Sequence, residues 1–282
     1  MNKILITGLN SYVGKSLEKW LENYPDEYVT ESISLRDNRW RERNFSEFDV
    51  VFHVAGIAHV KETKENESLY YKVNRDLAYE VAKKSKNDGI RHFIFLSSMS
   101  VYGLENGVIN KKTSLAPKSN YGKSKLQAEE LIKELANDAF RLAIIRPPMI
   151  YGKGCKGNYT RLAKLAIKTP VFPAIKNKRS MIYIDNLSEF IRVIIDNSES
   201  GLYFPQNKEY VQTSNMVQLI AEANGKSLRT TKIFNPIFSI INSSVVNKVF
   251  GDLVYEKNLS QICNKNYSNL VDFEQSIRLT ED

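Results

Sequence analysis

The sequence opens on Lys3-Ile4-Leu5-Ile6-Thr7, a short apolar run that reads as a buried strand. Gly8-Leu9-Asn10-Ser11-Tyr12-Val13-Gly14 follows at once. A helix pattern then begins, with Val13, Leu17, Trp20 and Leu21 on one stripe. Strand, glycine turn and helix in this order are the context of a dinucleotide fingerprint. Gly8 permits the tight turn, and Gly14 lets helix and strand pack closely. The helix N-terminus offers free N–H groups and a positive dipole end to a pyrophosphate. Ser11 stands where the middle glycine of a G-x-x-G-x-x-G spacing falls. Its Cβ either crowds the phosphates or its hydroxyl bonds them. Taken alone, the segment favours a glycine turn without a ligand.

The alternation continues. The pattern predicts strands near 3–7, 28–34, 49–54, 91–97 and 140–146. Between them, Leu69, Val73, Leu77 and Val81 mark one amphipathic helix, and Tyr121 to Ala136 another. This order argues for an α/β fold with a doubly wound parallel sheet. Beyond Gly152 the pattern is less regular. Helices are expected at Tyr159 to Ile167, Asp185 to Ile195 and Met216 to Ala223, with strands at Ser180 to Ile184 and Gly201 to Phe204.

A second segment carries chemistry. Ser97-Ser98-Met99-Ser100-Val101-Tyr102-Gly103 precedes Tyr121-Gly122-Lys123-Ser124-Lys125. On a helix, Tyr121 and Lys125 lie on one face, one turn apart. A cation near a phenol favours the phenolate and lowers its pKa from about 10 towards neutral. That suits Tyr121 to proton transfer at an alcohol or ketone. Ser98 would hold the same oxygen. The bland alternative for Lys125 is a solvated helix charge.

Together these segments resemble the extended short-chain dehydrogenase/reductases, in particular the NAD-dependent epimerase/dehydratase family. Thr7-Gly8 to Gly14 is similar to its cofactor loop, with Asn10, Ser11, Tyr12 and Val13 inside it. Asp49 to Gly56 resembles its third core strand and turn, and Val73-Asn74 its Val-Asn pair. Arg146-Pro147-Pro148-Met149-Ile150-Tyr151-Gly152 and Arg179 to Leu187 resemble two later motifs.

The resemblance implies a Rossmann-type cofactor domain over 1–155 and a smaller α/β substrate domain over 156–282, with some segments returning to the core. It implies Tyr121 as acid/base, Lys125 on the cofactor ribose and Ser98 on the reacting oxygen. Ser100 either assists or caps a turn. Gly8, Gly14, Ala55, Gly56, Asn74 and Pro148 join the cofactor contacts. Arg179 would clasp a substrate pyrophosphate, with Asn158 and Phe172 beside the nucleotide. The family often has a second phosphate-binding Arg near the segment that Gly251 to Tyr255 resembles; here the nearest upstream base is Lys248.

Two departures bear on the reaction. Family 4,6-dehydratases carry Asp-Glu after the catalytic Ser/Thr; here Met99 and Ser100 stand there, which argues against dehydration. NAD-specific members carry an acid at the end of the second strand. Here Ser34 replaces it and Arg36 suits a 2′-phosphate, so NADP(H) is favoured, and Asp37 keeps NAD(H) open. The expectation is reduction at C4 of a UDP-4-keto-6-deoxy-N-acetylhexosamine for surface polysaccharide precursors. The alternatives are a UDP-hexose 4-epimerase and, in another class, a catalytically idle cofactor-binding regulator.

Composition fits a soluble enzyme, and a cytoplasmic location is expected. A chain of 282 residues with 42% hydrophobic content can bury a sizeable core. No apolar leader opens the sequence. Cys155 and Cys263 read as free thiols, and no His/Cys spacing suggests a metal. His53 lies in an apolar strand and reads as structural. The net charge of +8 suits an anionic small substrate. No basic run or Lys/Arg stripe with aromatics points to nucleic acid. The apolar stretch 236–250 is too short and polar to span a bilayer, and reads as a packed helix or subunit contact, with a membrane-surface position as the alternative. A homodimer is an open expectation.

Overall fold

The computed structural model describes residues 1–58, 60–233, 250–260 and 270–282. Strand β1 (Asn2–Thr7) turns into helix α1 (Tyr12–Leu21), followed by β2 (Tyr28–Ile33), the short α2 (Arg39–Glu42) and β3 (Val50–His53). A long helical run comes next: α3 (Glu67–Tyr71), a π-helical turn over Lys72–Asp76, and α4 (Leu77–Asn87). Then come β4 (His92–Leu96), a 3-10 turn over Met99–Tyr102, β5 (Gly107–Ile109), α5 (Asn120–Lys133) and β6 (Arg141–Ile145). The second half holds β7 (Met149–Tyr151), α6 (Asn158–Lys168), β8 (Val171–Pro173), β9 (Met181–Tyr183), α7 (Ile184–Asp196), β10 (Gly201–Tyr203), α8 (Thr213–Ala223), β11 (Arg229–Thr231), β12 (Leu253–Tyr255) and α9 (Phe273–Glu281).

The main sheet is parallel throughout, in the order β10-β6-β4-β3-β1-β2. Its strands β1, β2, β3, β4 and β6 match expectation to within one residue at either end. The reason is burial on both faces: β3 and β4 are buried at every position, so they read as continuous apolar runs. Successive side chains point to opposite faces. Ile4 and Ile6 join the core under α1 and α7, whereas Leu5, Phe93 and Phe95 join the core under α4 and α5. The second half returns to this sheet. β10 pairs with β6, and α7 packs on α1.

Outside the main sheet, strands pair in twos: β11 with β8, β12 with β5, and β7 with β9. No helix among the described residues is long and apolar enough to cross a membrane. His59, Lys248 and Cys263 lie outside the described residues. So does the stretch 236–250 except Phe250, whose ring meets Phe172 at 5.7 Å between centroids.

His53 is wholly buried. Its Nδ1 shares a 2.8 Å hydrogen bond with Thr7 Oγ1, and its ring stacks near Phe93 and Phe95. Burial pushes its pKa down to about 3, helped by the Lys125 charge. His92 is buried too, and burial brings it down to about 4. Both are neutral in the fold, while in the unfolded chain each titrates near 6.5. The unfolded state therefore binds more protons below that pH. Their contribution is complete above about pH 6.5 and is lost as pH falls towards 4 and below, with a slope of up to about 1.4 kcal/mol per pH unit for each ring. Urea unfolding across this range should show the loss, and His53→Asn should flatten the curve.

Candidate active site

A cleft of about 760 Å³ opens at the carboxyl ends of β1, β2 and β3. That is where ligands sit in open parallel sheets, and the size suits a small-molecule site. Of the sequence candidates, Gly8, Asn10, Ser11, Ser34, Arg36, Ala55 and Gly56 line it. The loop after β1 is tied down by Gly8 N and Leu9 N, which both donate to Ile33 O at 2.9 and 3.1 Å. Gly8 has φ +115°, and a Cβ there would stand 3.0 Å from the Ala55 nitrogen. Only glycine fits this close approach. At Gly14 a Cβ would meet Ile6 Cγ2 at 3.0 Å and Val54 Cγ1 at 3.2 Å, so Gly14 serves helix–sheet packing. Ser11 caps α1, its Oγ accepting from Gly14 N at 3.0 Å. The hydroxyl keeps its own proton for a phosphate oxygen. These features fit a dinucleotide.

Other cofactor candidates stand behind the cleft. Val13 is in the core, and the Tyr12 hydroxyl is buried near Gly152. Pro148 is buried just past the end of β6. Asn74 is fully buried: its Oδ1 accepts from Ile57 N at 2.7 Å, and its Nδ2 donates to Ile57 O at 3.1 Å and Ser124 Oγ at 3.2 Å. It holds the 55–57 turn against α5 instead of reaching into the cleft. Sequence reasoning missed one wall. Leu69, Val73 and Leu77, read as the apolar stripe of an amphipathic helix, line the cleft, and only Val81 of that stripe is fully buried in the core. The π-helical turn breaks the helical register there. Arg41, paired with Glu80, lines it as well.

Helix α5 positions the catalytic candidates. Ser119 Oγ accepts from Gly122 N at 3.1 Å, and the Glu62 carboxylate accepts from Asn120 N at 3.0 Å and Tyr121 N at 3.1 Å. The first-turn donors are thus satisfied. The Lys125 ammonium is buried, donates to Leu96 O at 2.8 Å and sits 4.7 Å over the Phe95 ring. At Gly56 a Cβ would come 3.4 Å from Lys125 Nζ, so the turn passes directly by the ammonium. Burial draws the Lys125 pKa down to about 8, against the pull of Glu129.

Tyr121 differs from expectation. Its pKa is raised, first by burial, while a hydrogen bond with Ser98 draws it back. The lysine expected to depress it is itself desolvated and anchored on Leu96 O. Ser98 also caps the 3-10 turn: its Oγ accepts from Ser100 N and donates to Ser100 Oγ, both at 3.1 Å. Ser100 therefore belongs to the turn and touches the Ser98 hydroxyl. Ser98 meets Tyr121, and Lys125 lies one turn further along the same helix.

One turn beyond Lys125, Glu129 is completely buried. Its carboxylate takes two bonds from Arg146, Nε to Oε1 at 2.9 Å and Nη2 to Oε2 at 2.5 Å, and a short one from Ser97. Arg146 Nη1 donates to the Tyr102 hydroxyl at 2.9 Å. The signal for Glu129 was its spacing, four and eight residues after Lys125 and Tyr121.

The substrate candidates do not gather in the same way. Arg179 Nη1 donates to Gly251 O at 2.9 Å, with Asp252 near, and burial lowers its pKa. Asn158 is exposed at the start of α6. Phe172 is a correction: its ring is buried against Phe250 in the core, because alternate residues of β8 face inward.

The profile of the NAD dependent epimerase/dehydratase family matches residues 4–205. The chain is 31% identical to UDP-glucose 4-epimerase of Vibrio cholerae, over 89% of this chain and 86% of that protein. It is 33% identical to N-acetyl-alpha-D-glucosaminyl-diphospho-ditrans,octacis-undecaprenol 4-epimerase of Escherichia coli O157:H7, over 78% of this chain and 67% of that one. Among solved structures, UDP-glucuronic acid 4-epimerase from Bacillus cereus in complex with NAD matches with TM-score 0.76 at 18% identity, covering 99% and 97% of the two chains. RMD from Pseudomonas aeruginosa complexed with NADPH matches with TM-score 0.77 at 17% identity, covering 100% and 98%. These two share the fold.

The buried ion pair gives a sharp expectation. Glu129→Gln leaves the Arg146 guanidinium buried without its counter-charge and should cost about 3–5 kcal/mol. Glu129→Leu with Arg146→Met should recover most of that loss. Urea unfolding of these variants checks both.

Proposed function

Because the chain belongs to the NAD dependent epimerase/dehydratase family, we propose that it performs NAD(P)-dependent hydride chemistry at C4 of a nucleotide sugar. The finer reading is reduction of a UDP-4-keto-6-deoxy-N-acetylhexosamine. The convergence of Ser98, Tyr121 and Lys125 beside the Gly56 turn supports the hydride chemistry, and Ser34 and Arg36 at the end of β2 tilt it to the reductase.

A bound nicotinamide supplies the hydride to C4. The side chains manage the oxygen. Ser98 donates to O4, and Tyr121 passes it a proton as the carbonyl becomes an alcohol. Lys125 uses one of its three N–H donors on Leu96 O and keeps two for a ribose. Its positive charge steadies the phenolate that Tyr121 leaves behind. Met99 is buried and Ser100 is bonded to Ser98, so no carboxylate stands where a dehydratase needs one. Arg179 is proposed to clasp the diphosphate, since a guanidinium fork matches phosphate oxygens.

NADPH is the proposed reductant. β2 ends at Ile33, Ser34 follows it, and Arg36 lines the cleft. Asp37 is turned to Arg39, whose Nη2 donates to its Oδ2 at 2.6 Å. A second reading, a UDP-hexose 4-epimerase, is favoured by the two curated relatives named above. In that reading the diphosphate carries uridine, as in the name of the Vibrio cholerae relative.

Three measurements test the proposal. UDP-4-keto-6-deoxy-N-acetylglucosamine with NADPH should lose nicotinamide absorbance, and Tyr121→Phe should slow this about 10²–10⁴-fold with cofactor binding intact. Inversion of UDP-galactose with NAD, without net consumption, selects the epimerase instead. Arg36→Ala should weaken NADPH binding by about 1.5–3 kcal/mol and leave NADH nearly unchanged. Equal native affinities for the two cofactors would remove the NADPH preference.

A further inference from the structure

Helix α6 buries Tyr159, Leu162 and Ala166 and turns its opposite side to solvent. That side carries Arg161, Lys164, Leu165 and Lys168, spaced three and four apart on one stripe. Leu165 is 45% exposed, and Ile167 on the flank 42%. The surface continues past the helix end. Arg229 N donates to Pro170 O at 3.0 Å, and Arg229 pairs in register with Val171, which is 41% exposed. Lys232 follows, also exposed. Exposed cations and bare aliphatic side chains thus recur along α6 and on the β8–β11 pair that follows it.

The sequence reinforces its sign. From Ala139 to Ile184 the chain carries no Asp or Glu, and neither does Ala223 to Ile233. A solvated basic surface does not need exposed Leu, Ile and Val set among its charges. A nucleic-acid surface would present aromatic rings for stacking, and the exposed stripe of α6 has none. The apolar face of α6 is occupied by the core, so what it offers outward is a cluster of cations, Arg161, Lys164 and Lys168, with Leu165 between them; a Lys/Arg cluster on an amphipathic helix is the pattern that attracts anionic lipid headgroups.

We propose that this face docks the protein on an anionic lipid bilayer. The cations engage lipid phosphates, and Leu165, Ile167 and Val171 reach the headgroup–acyl boundary. The attachment is peripheral, and it stands independently of the reaction proposed above. α6 spans about 16 Å from Asn158 to Lys168, so the docking face extends to the far end of the helix from the candidate substrate contact.

Vesicle co-sedimentation of the full chain tests this. Vesicles of phosphatidylcholine with phosphatidylglycerol should bind it, and vesicles of phosphatidylcholine alone should not. Each basic side chain near an anionic surface contributes about fivefold in affinity at low salt. Lys164→Glu with Lys168→Glu should therefore weaken vesicle binding by about 25-fold or more. Leu165→Ser with Ile167→Ser should weaken it several-fold without altering the charge. Both double variants should keep native turnover of a soluble UDP-sugar and native thermal stability. Absence of binding to the anionic vesicles overturns the proposal. So does vesicle binding that the charge reversals leave unchanged, or tighter binding to single-stranded RNA than to the vesicles at equal salt. Vesicle binding is read without substrate, so a failed turnover assay speaks only to the reaction.

Discussion

The ion pair between Glu129 and Arg146 is the interaction on which the site depends. It is buried on both sides, with Arg146 bonded at Nε, Nη1 and Nη2, and Glu129 also receiving the Ser97 hydroxyl. The carbonyl of Arg146 accepts the Tyr255 hydroxyl at 2.8 Å. One pair thereby joins the end of β4, the middle of α5, the end of β6, the 3-10 turn and β12. Buried pairs of this kind are often no more stabilising than apolar residues of the same volume. What this one supplies is register. It fixes the rotation and height of α5 against the sheet, and Lys125 and Tyr121 lie one and two turns back along the same face.

The electrostatics of the site follow from that placement. Burial draws the Lys125 pKa down to about 8, with Glu129 as the opposing influence and neutral His53 close by, and the ammonium stays mostly charged at neutral pH. Tyr121 is held as a phenol by burial and is bonded to Ser98. A phenol in this state suits the proton donation proposed for it above.

Much of this was legible in the sequence. Strands buried on both faces are continuous apolar runs, so β1, β3, β4 and β6 stood out. Gly8 and Gly14 declared close approaches that no other residue tolerates. Other features were not legible. The strands β5, β8 and β12 are three residues each and pair far along the chain, so no periodicity marks them. Leu69, Val73 and Leu77 are apolar and line a cleft, and apolar spacing does not distinguish a cleft wall from a core. The Tyr121 pKa is raised by burial and drawn back by Ser98, neither of which helical spacing reveals. Asn74 was assigned to the ligand, yet its amide braces the turn beneath.

The return of β10 to the sheet has a consequence for how the protein forms. Its partner β6 ends at Ile145, and β10 begins at Gly201, with β7, α6, β8, β9 and α7 between them. The edge of the sheet stays open until that whole segment has been made. Helix α7, which covers one face of the sheet beside α1, arrives equally late. Folding during synthesis therefore cannot finish the first half before the second has begun. A ribosome-bound chain that stops near Gly152 would expose the β6 edge and the face awaiting α7. The two halves mature together, and the demand on cellular chaperones falls in that interval.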